Sequence, residues 1–148
     1  MERALAVVDA EESTTELVRE AGELAAAVDA ELVLLHVTTT EEYEEKRKTM
    51  EDIPDSRARY SGKQALQGAE AFAEDVGRDV LEGVGVEYEA VGAVGDEQNE
   101  ILKTAAEYDC DHLFIAGEKR SPTGKALFGD LTQSVILNFE GPVTVVTT

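Results

Sequence analysis

Short apolar runs alternate with amphipathic stretches along this chain, and that alternation constrains its fold more than any other feature. Residues 4–8 and 31–37 are short, largely apolar runs, as expected of parallel strands buried on both faces. Residues 112–116 and 143–147 have the same character. Residues 86–94 alternate between apolar and polar, which is typical of a half-exposed strand at the edge of a sheet.

Apolar residues recur at helical spacing between these runs and predict four helices. They cover about residues 13–28, 61–81, 97–108 and 131–139. We expect Ser13 or Thr14 to cap the first helix. The polar stretch from Thr38 to Tyr60 contains Pro54 and is predicted to be a mobile excursion with room for a helical turn. The order βαβαβαβαβ predicts one domain over residues 1–148, a doubly wound α/β sandwich with five parallel strands.

The charge balance excludes several classes of partner. The chain has 32 Asp and Glu against 13 Lys and Arg, a net charge of −19, and the acids are spread along it. A folded acidic shell of this kind repels nucleic acid and anionic membranes, yet is tolerated in concentrated salt, where charges are screened. No apolar run approaches the roughly 20 residues of a membrane helix. We therefore expect a salt-adapted cytoplasmic protein.

Residues that often carry chemistry are isolated in this sequence. Cys110 is the only cysteine, and His36 and His112 have no metal-ligand spacing to another His or Cys. A structural role is predicted for all three. We find no paired carboxylates placed for acid–base work and neither of the common phosphate- or dinucleotide-binding glycine motifs, so neither a metal nor an enzymatic activity is expected.

The most distinctive stretch is a glycine-punctuated loop, residues 116–132, between a predicted strand and a predicted helix. It contains Lys119, Arg120 and Lys125, three of the chain's 13 basic residues. Because the first turn of a helix presents unpaired N–H groups and a partial positive charge, phosphates often bind there. The loop is thus a candidate anion site.

Several segments, taken in order, resemble the universal stress proteins over nearly the whole chain. They are the first strand ending in Asp9, Leu-Leu-His-Val at 34–37, the Val-Gly-Asp turn at 94–96, the glycine loop, and Gly-Pro-Val-Thr-Val-Val at 141–146. The resemblance implies strand order 3-2-1-4-5. Ligands in such a sheet bind where the order reverses, here between strands 1 and 4.

Members of that family that bind ATP have a loop of the form Gly-x2-Gly-x9-Gly-(Ser/Thr). In this chain Gly117 matches the first glycine, Arg120 replaces the second, the following spacer is one residue short, and Asp130 replaces the hydroxyl residue after Gly129. The loop is therefore a degenerate version of the family motif.

The resemblance also implies roles for other positions: a nucleoside contact for Asp9, a main-chain adenine contact for Val37, and the start of the last helix for Leu131 and Thr132. The predicted nucleotide site comprises Asp9, Val37, Ala116, Gly117, Lys119, Arg120, Gly129, Asp130, Leu131 and Thr132.

Two functions remain open at this point. The first is a non-catalytic regulatory protein that binds ATP or AMP. The second is a nucleotide-free interaction scaffold in which Asp130 caps the last helix and takes the place of a phosphate. Under both, the apolar edge strand Val143–Val146 predicts a homodimer, since an open edge invites pairing with another chain. The protein partner and the role of residues 38–60 are left unassigned.

Overall fold

A computed structural model describes residues 1–51, 61–117 and 128–147. The strands are β1 (Arg3–Val7), β2 (Glu31–Thr39), β3 (Tyr88–Gly95), β4 (His112–Gly117) and β5 (Val143–Thr147). The helices are α1 (Ser13–Ala27), α2 (Thr40–Glu51), α3 (Gly62–Val80), α4 (Glu97–Glu107) and α5 (Asp130–Asn138). No helix in these ranges is long and apolar enough to span a bilayer.

All five strands form one parallel sheet in the order β3-β2-β1-β4-β5, which confirms the predicted order. Strand β1 lies at the centre, and Ala4, Leu5 and Ala6 are completely buried there. This explains why its sequence is continuously apolar. Strand β3 is an edge, as its alternating pattern predicts.

Two apolar layers cover the sheet. On one face, Leu17 and Val18 of α1 and Ala73 of α3 pack against β1 and β2. On the other, Ile101 of α4 and Val135 of α5 pack against the same central strands and β4. The result is the predicted three-layer sandwich.

The polar excursion is the largest correction to the prediction. Strand β2 continues to Thr39, and α2 follows it at once over 12 residues. Thr39 and Glu42 explain the start of this helix: the Glu42 N–H donates to Thr39 Oγ1 at 3.1 Å, and the Thr39 N–H donates to Glu42 Oε2 at 3.3 Å. This reciprocal capping box satisfies two N–H groups that would otherwise lack partners. The rest of the excursion, residues 52–60, lies outside the described residues.

The start of α1 also differs from the prediction. Glu12 occupies the N-cap position without a side-chain hydrogen bond, so neither Ser13 nor Thr14 caps the helix. Thr14 is instead buried in the first turn and bonds to Asp9, as described below. Helix α4, by contrast, has a side-chain cap, since Asp96 accepts a hydrogen bond from the Asn99 N–H at 3.0 Å.

Candidate functional site

A cavity of about 540 Å³ opens beyond the carboxyl ends of β1 and β4, the two strands at which the strand order reverses. We call it the inner cavity. Its walls come from the ends of β1, β2 and β4 and the starts of α2, α4 and α5. They consist of Val7, Val8, Asp9, Ala10, Glu11, His36, Val37, Glu42, Glu97, Ile115, Ala116 and Leu131.

A second cavity of about 490 Å³ has two of its lining residues, Glu97 and Leu131, in common with the first. We call it the outer cavity. Its other lining residues lie at the carboxyl ends of β2 and β3 and at the starts of α2, α4 and α5. They are Thr39, Thr40, Glu41, Gly95, Asp96, Gln98, Asp130 and Ser134.

Asp9 holds the turn between β1 and α1 through one of its two carboxylate oxygens. Oδ1 accepts hydrogen bonds from the Glu11 N–H at 2.8 Å and from Thr14 Oγ1 at 2.7 Å. Thr14 Oγ1 in turn accepts from the Asp9 N–H at 2.9 Å. Among the described residues, no group bonds to Oδ2. Asp9 therefore fixes the turn and still has an oxygen for a ligand.

His36 has one ring nitrogen fixed by the backbone. Its Nδ1 lies 2.7 Å from the Val8 carbonyl oxygen, which can only accept, so Nδ1 carries the proton. The ring also packs against Phe72, with 4.4 Å between the ring centroids. In the neutral ring, Nε2 is then an acceptor beside the inner cavity.

Gly117 ends β4 at a crowded position. A Cβ atom there would lie 2.5 Å from Val145 Cγ1 and 2.8 Å from the Phe128 ring, so a larger residue would displace both neighbours. One residue earlier, the Ala116 carbonyl accepts a hydrogen bond from buried Thr132 Oγ1 at 3.0 Å. Gly117 and Thr132 thus position the wall between β4 and α5.

The start of α5 contradicts one of the two roles considered for Asp130, that of helix cap. Gly129 is the N-cap residue and Asp130 is the first residue of the helix, with its side chain exposed. No side-chain hydrogen bond caps this end within the part of the chain that the structure describes. Gly129 has the extended backbone of an N-cap but no side chain of its own to reach the first N–H groups of the helix, so among the described residues these are left for an anion. Asp130 borders them without occupying them.

Glu97 is a partly buried carboxyl group of the site. Partial burial raises its pKa, and the negative charges of Glu42 and Asp9 raise it further. His36 opposes this shift and Asp96 adds to it. The cause is a partly desolvated carboxylate that faces other carboxylates.

The structure brings several predicted residues together. Asp9, Val37, Ala116 and Leu131 line the inner cavity, and Asp130 lines the outer one. Gly117, Gly129 and Thr132 shape the β4–α5 wall. The predicted contacts Lys119 and Arg120 lie in residues 118–127, outside the described residues. In the described ranges, no group of three or more His, Cys, Asp or Glu residues is arranged to hold a metal ion.

Sequence reasoning missed Glu42 and Glu97 as site residues. Each lies in the first turn of a helix that closely follows the carboxyl end of a strand. Their local signals, Thr-x-x-Glu for α2 and Gly-Asp for α4, mark helix starts. Combined with the edge of the sheet at which ligands bind, these signals would have pointed to both residues.

Residues 1–147 match the model of the Universal stress protein family. No curated protein matched. Among solved structures, the hypothetical protein MJ0577 superposes with a TM-score of 0.71 at 22% identity, covering 99% of this chain and 96% of the other.

Two further structures contain nucleotides. A universal stress protein in complex with cAMP superposes with a TM-score of 0.64 at 17% identity, covering 99% of this chain and 96% of the other. The universal stress protein from Archaeoglobus fulgidus in complex with dAMP superposes with a TM-score of 0.55 at 19% identity, covering 98% of this chain and 97% of the other. At these identities the likeness shows a shared fold.

Proposed function

Because the chain belongs to the universal stress protein family, we propose that it binds an adenine nucleotide, ATP or AMP, in the inner cavity and acts as a non-catalytic regulator in the cytoplasm. One observation carries this proposal: a cavity of about 540 Å³ lies at the strand-order reversal, and Asp9, Val37, Ala116 and Leu131 line it. Its volume is that of a small-molecule site, typically about 300–1,000 Å³.

The chemistry of the lining suits a nucleoside. Val7, Val37 and Ile115 supply apolar surface for a flat base, while Asp9 Oδ2 offers an acceptor for a ligand hydroxyl or amino group. The start of α5, with Gly129 as its cap, offers N–H groups to a phosphate. Related folds that hold cAMP and dAMP support the same ligand class.

A regulatory role is favoured over hydrolysis because Asp9 and His36 act as positioning residues: each fixes the backbone through one atom and keeps the other, Asp9 Oδ2 and His36 Nε2, for contact with a ligand. Asp9 Oδ1 accepts from Glu11 and Thr14, and His36 Nδ1 donates to Val8. A bound nucleotide would instead set the conformation of the 117–130 loop and thereby bias the choice of partner. Nucleotide incubated with the protein should therefore stay intact when it is followed by chromatography.

Calorimetry with adenosine, AMP and ATP in molar KCl tests the proposal. Asp9→Asn keeps an oxygen at Oδ1 for the turn but removes the Oδ2 acceptor, so adenosine affinity should fall about tenfold. Glu12→Gln removes a nearby exposed charge and should leave that affinity unchanged. Absence of heat with all three ligands, in protein shown to be folded, would refute nucleotide binding.

The alternative is a nucleotide-free interaction scaffold, and the acidic lining of both cavities favours it. Its original mechanism, in which Asp130 caps α5, is not present, since Gly129 is the cap. Homodimerisation belongs to both proposals. Strand β5 pairs only with β4 among the described strands, and Val143–Val146 are partly exposed at that edge. A second copy can cover this edge by pairing with it.

A further inference from the structure

Seven carboxylates line the two cavities, and their number limits what can bind there. They are Asp9, Glu11, Glu41, Glu42, Asp96, Glu97 and Asp130. Among the described lining residues, His36 is the only side chain able to carry a positive charge. By sequence, residues 118–127 hold Lys119, Arg120 and Lys125 beside Glu118, too few to balance the seven.

Glu97 lies between the two cavities and lines both. The local backbone fixes it there: it is the first residue of α4, and the preceding Asp96 caps that helix through the Asn99 N–H. The charged groups that act on it come from different elements. They are Glu42 of α2, Asp9 after β1, His36 of β2 and Asp96. A ligand that extends from the inner to the outer cavity must therefore pass this carboxylate.

Partial burial increases the effect of that charge. Glu97 is only partly exposed, so water screens its charge incompletely, and the same burial raises its pKa. A neutral nucleoside in the inner cavity has no net charge to be repelled. Each added phosphate increases the repulsion, and a chain of three brings the most negative charge toward the outer cavity.

We infer that Glu97 is a specificity-determining residue that makes this site select adenosine or adenosine monophosphate over ATP. The inference rests on the proposed nucleotide site and names its ligand class. Asp9 and the apolar lining would provide affinity for the nucleoside, while Glu97 and its neighbours would penalise a polyphosphate. A site can gain selectivity in this way, through repulsion of the wrong ligand.

Calorimetry with adenosine, AMP and ATP, at fixed moderate ionic strength with chelator and no divalent metal, provides the test. The wild-type protein should bind AMP more tightly than ATP. Glu97→Gln should raise ATP affinity about tenfold and AMP affinity less, and should change adenosine affinity by less than about twofold. Higher KCl should bring the wild-type affinities for AMP and ATP closer together, because it screens the repulsion.

Glu107→Gln is the matched control, since it removes the same charge from the exposed far end of α4. It should leave the ratio of ATP to AMP affinity unchanged. Glu42→Gln, which alters a different helix, should shift the ratio in the same direction as Glu97→Gln and provides a second variant if the first fails to fold.

The outcomes separate this inference from the proposed function. If wild-type protein binds ATP more tightly than AMP, or if Glu97→Gln changes all three affinities by the same factor, the role of Glu97 is wrong while nucleotide binding stands. If adenosine, AMP and ATP all fail to bind to the folded wild-type protein, both are wrong.

Discussion

Asp130 departs from the family's nucleotide loop at the position where a hydroxyl residue is expected. Its exposed carboxylate lies in the first turn of α5, beside N–H groups that no described side chain caps. A negative charge at this end stabilises the helix through its dipole but repels a phosphate at the same place. Stability and phosphate affinity are therefore in conflict at this residue.

Asp130→Ser should strengthen phosphate binding at the expense of stability. We expect AMP affinity to rise several-fold, because a like charge is removed, and the free energy of unfolding to fall by about 0.3–1 kcal/mol, because the helix loses a favourable charge. Calorimetry and urea denaturation measure the two effects. Glu140→Gln, an exposed charge beyond the other end of α5, should leave AMP affinity unchanged and should not lower the free energy of unfolding, since it removes a negative charge from the negative end of the helix. Unchanged or weaker AMP binding in Asp130→Ser would show that this carboxylate is no obstacle.

Glu97 should make stability depend on pH. Its pKa is raised in the folded protein, so the folded state binds this proton more tightly than the unfolded state does. The ionised carboxylate therefore destabilises the fold: the penalty is absent below the unfolded pKa and appears as pH rises through the folded value. Glu97→Gln should raise the Tm at pH 7, and the gain should disappear in acid. Thermal denaturation from pH 4 to pH 7 measures this, and a gain that persists unchanged at pH 4 would contradict it.

Helix α3 and strand β3 approach so closely that one glycine is required between them. A Cβ atom on Gly92 would lie 2.4 Å from the Glu70 nitrogen and 2.5 Å from the Leu66 carbonyl oxygen. These are backbone atoms of α3, so a side chain can be accommodated only if the helix moves away from the sheet. Gly68, in the same helix, has open space around its Cβ position.

This contrast gives a matched pair of variants. Gly92→Ala should lower the free energy of unfolding by about 1–3 kcal/mol through overpacking. Gly68→Ala should raise it by about 0.5–1 kcal/mol, since alanine is the better helix former. Urea denaturation with a common m-value measures both. Equal effects of the two substitutions would mean that the α3–β3 contact is looser than the structure has it.

The sequence predicts well those structural features that depend on residues close together in the chain. The buried strands and the amphipathic helices α1, α3 and α4 were predicted because their apolar spacing is local, and the strand order followed from family resemblance. Helix α2 was missed: its charged sequence has little apolar periodicity, and the start is set by the Thr39–Glu42 capping box. Glu97 was missed as a site residue because it comes close to Asp9 and Glu42 only in the folded protein. These three residues lie on different elements and are far apart in the sequence.

Among the described strands β5 pairs only with β4, which leaves one edge open, and the molecule as a whole has a net charge of −19. The first favours association and the second opposes it, since two copies repel each other. We expect a dimer that tightens with added salt, with light scattering giving twice the 16.0 kDa of one chain.

Thr147→Lys puts a charge on the exposed end of β5 and should weaken the dimer about tenfold, as lysines protect natural edges. Thr15→Lys makes the same chemical change at an exposed position of α1 and should leave the affinity of the dimer unchanged. A mass of one chain across the micromolar range would rule the dimer out.

Repulsion within one subunit should also make its stability depend on salt. At about 0.1 M salt, charges interact over roughly 10 Å, and at 1 M over roughly 3 Å, so added KCl should relieve the repulsion among surface carboxylates and raise the Tm. Glu20 and Glu23 are exposed like charges about one turn apart on α1. Replacing both by glutamine should raise the Tm at low salt and reduce the gain from KCl. Sucrose serves as the comparison, because it is uncharged and stabilises proteins by exclusion from their surface without screening charges. It should raise the Tm of the wild-type protein and of the double variant equally. A Tm that stays flat or falls between 0.1 and 1 M KCl would show that the acidic shell is not an adaptation to salt.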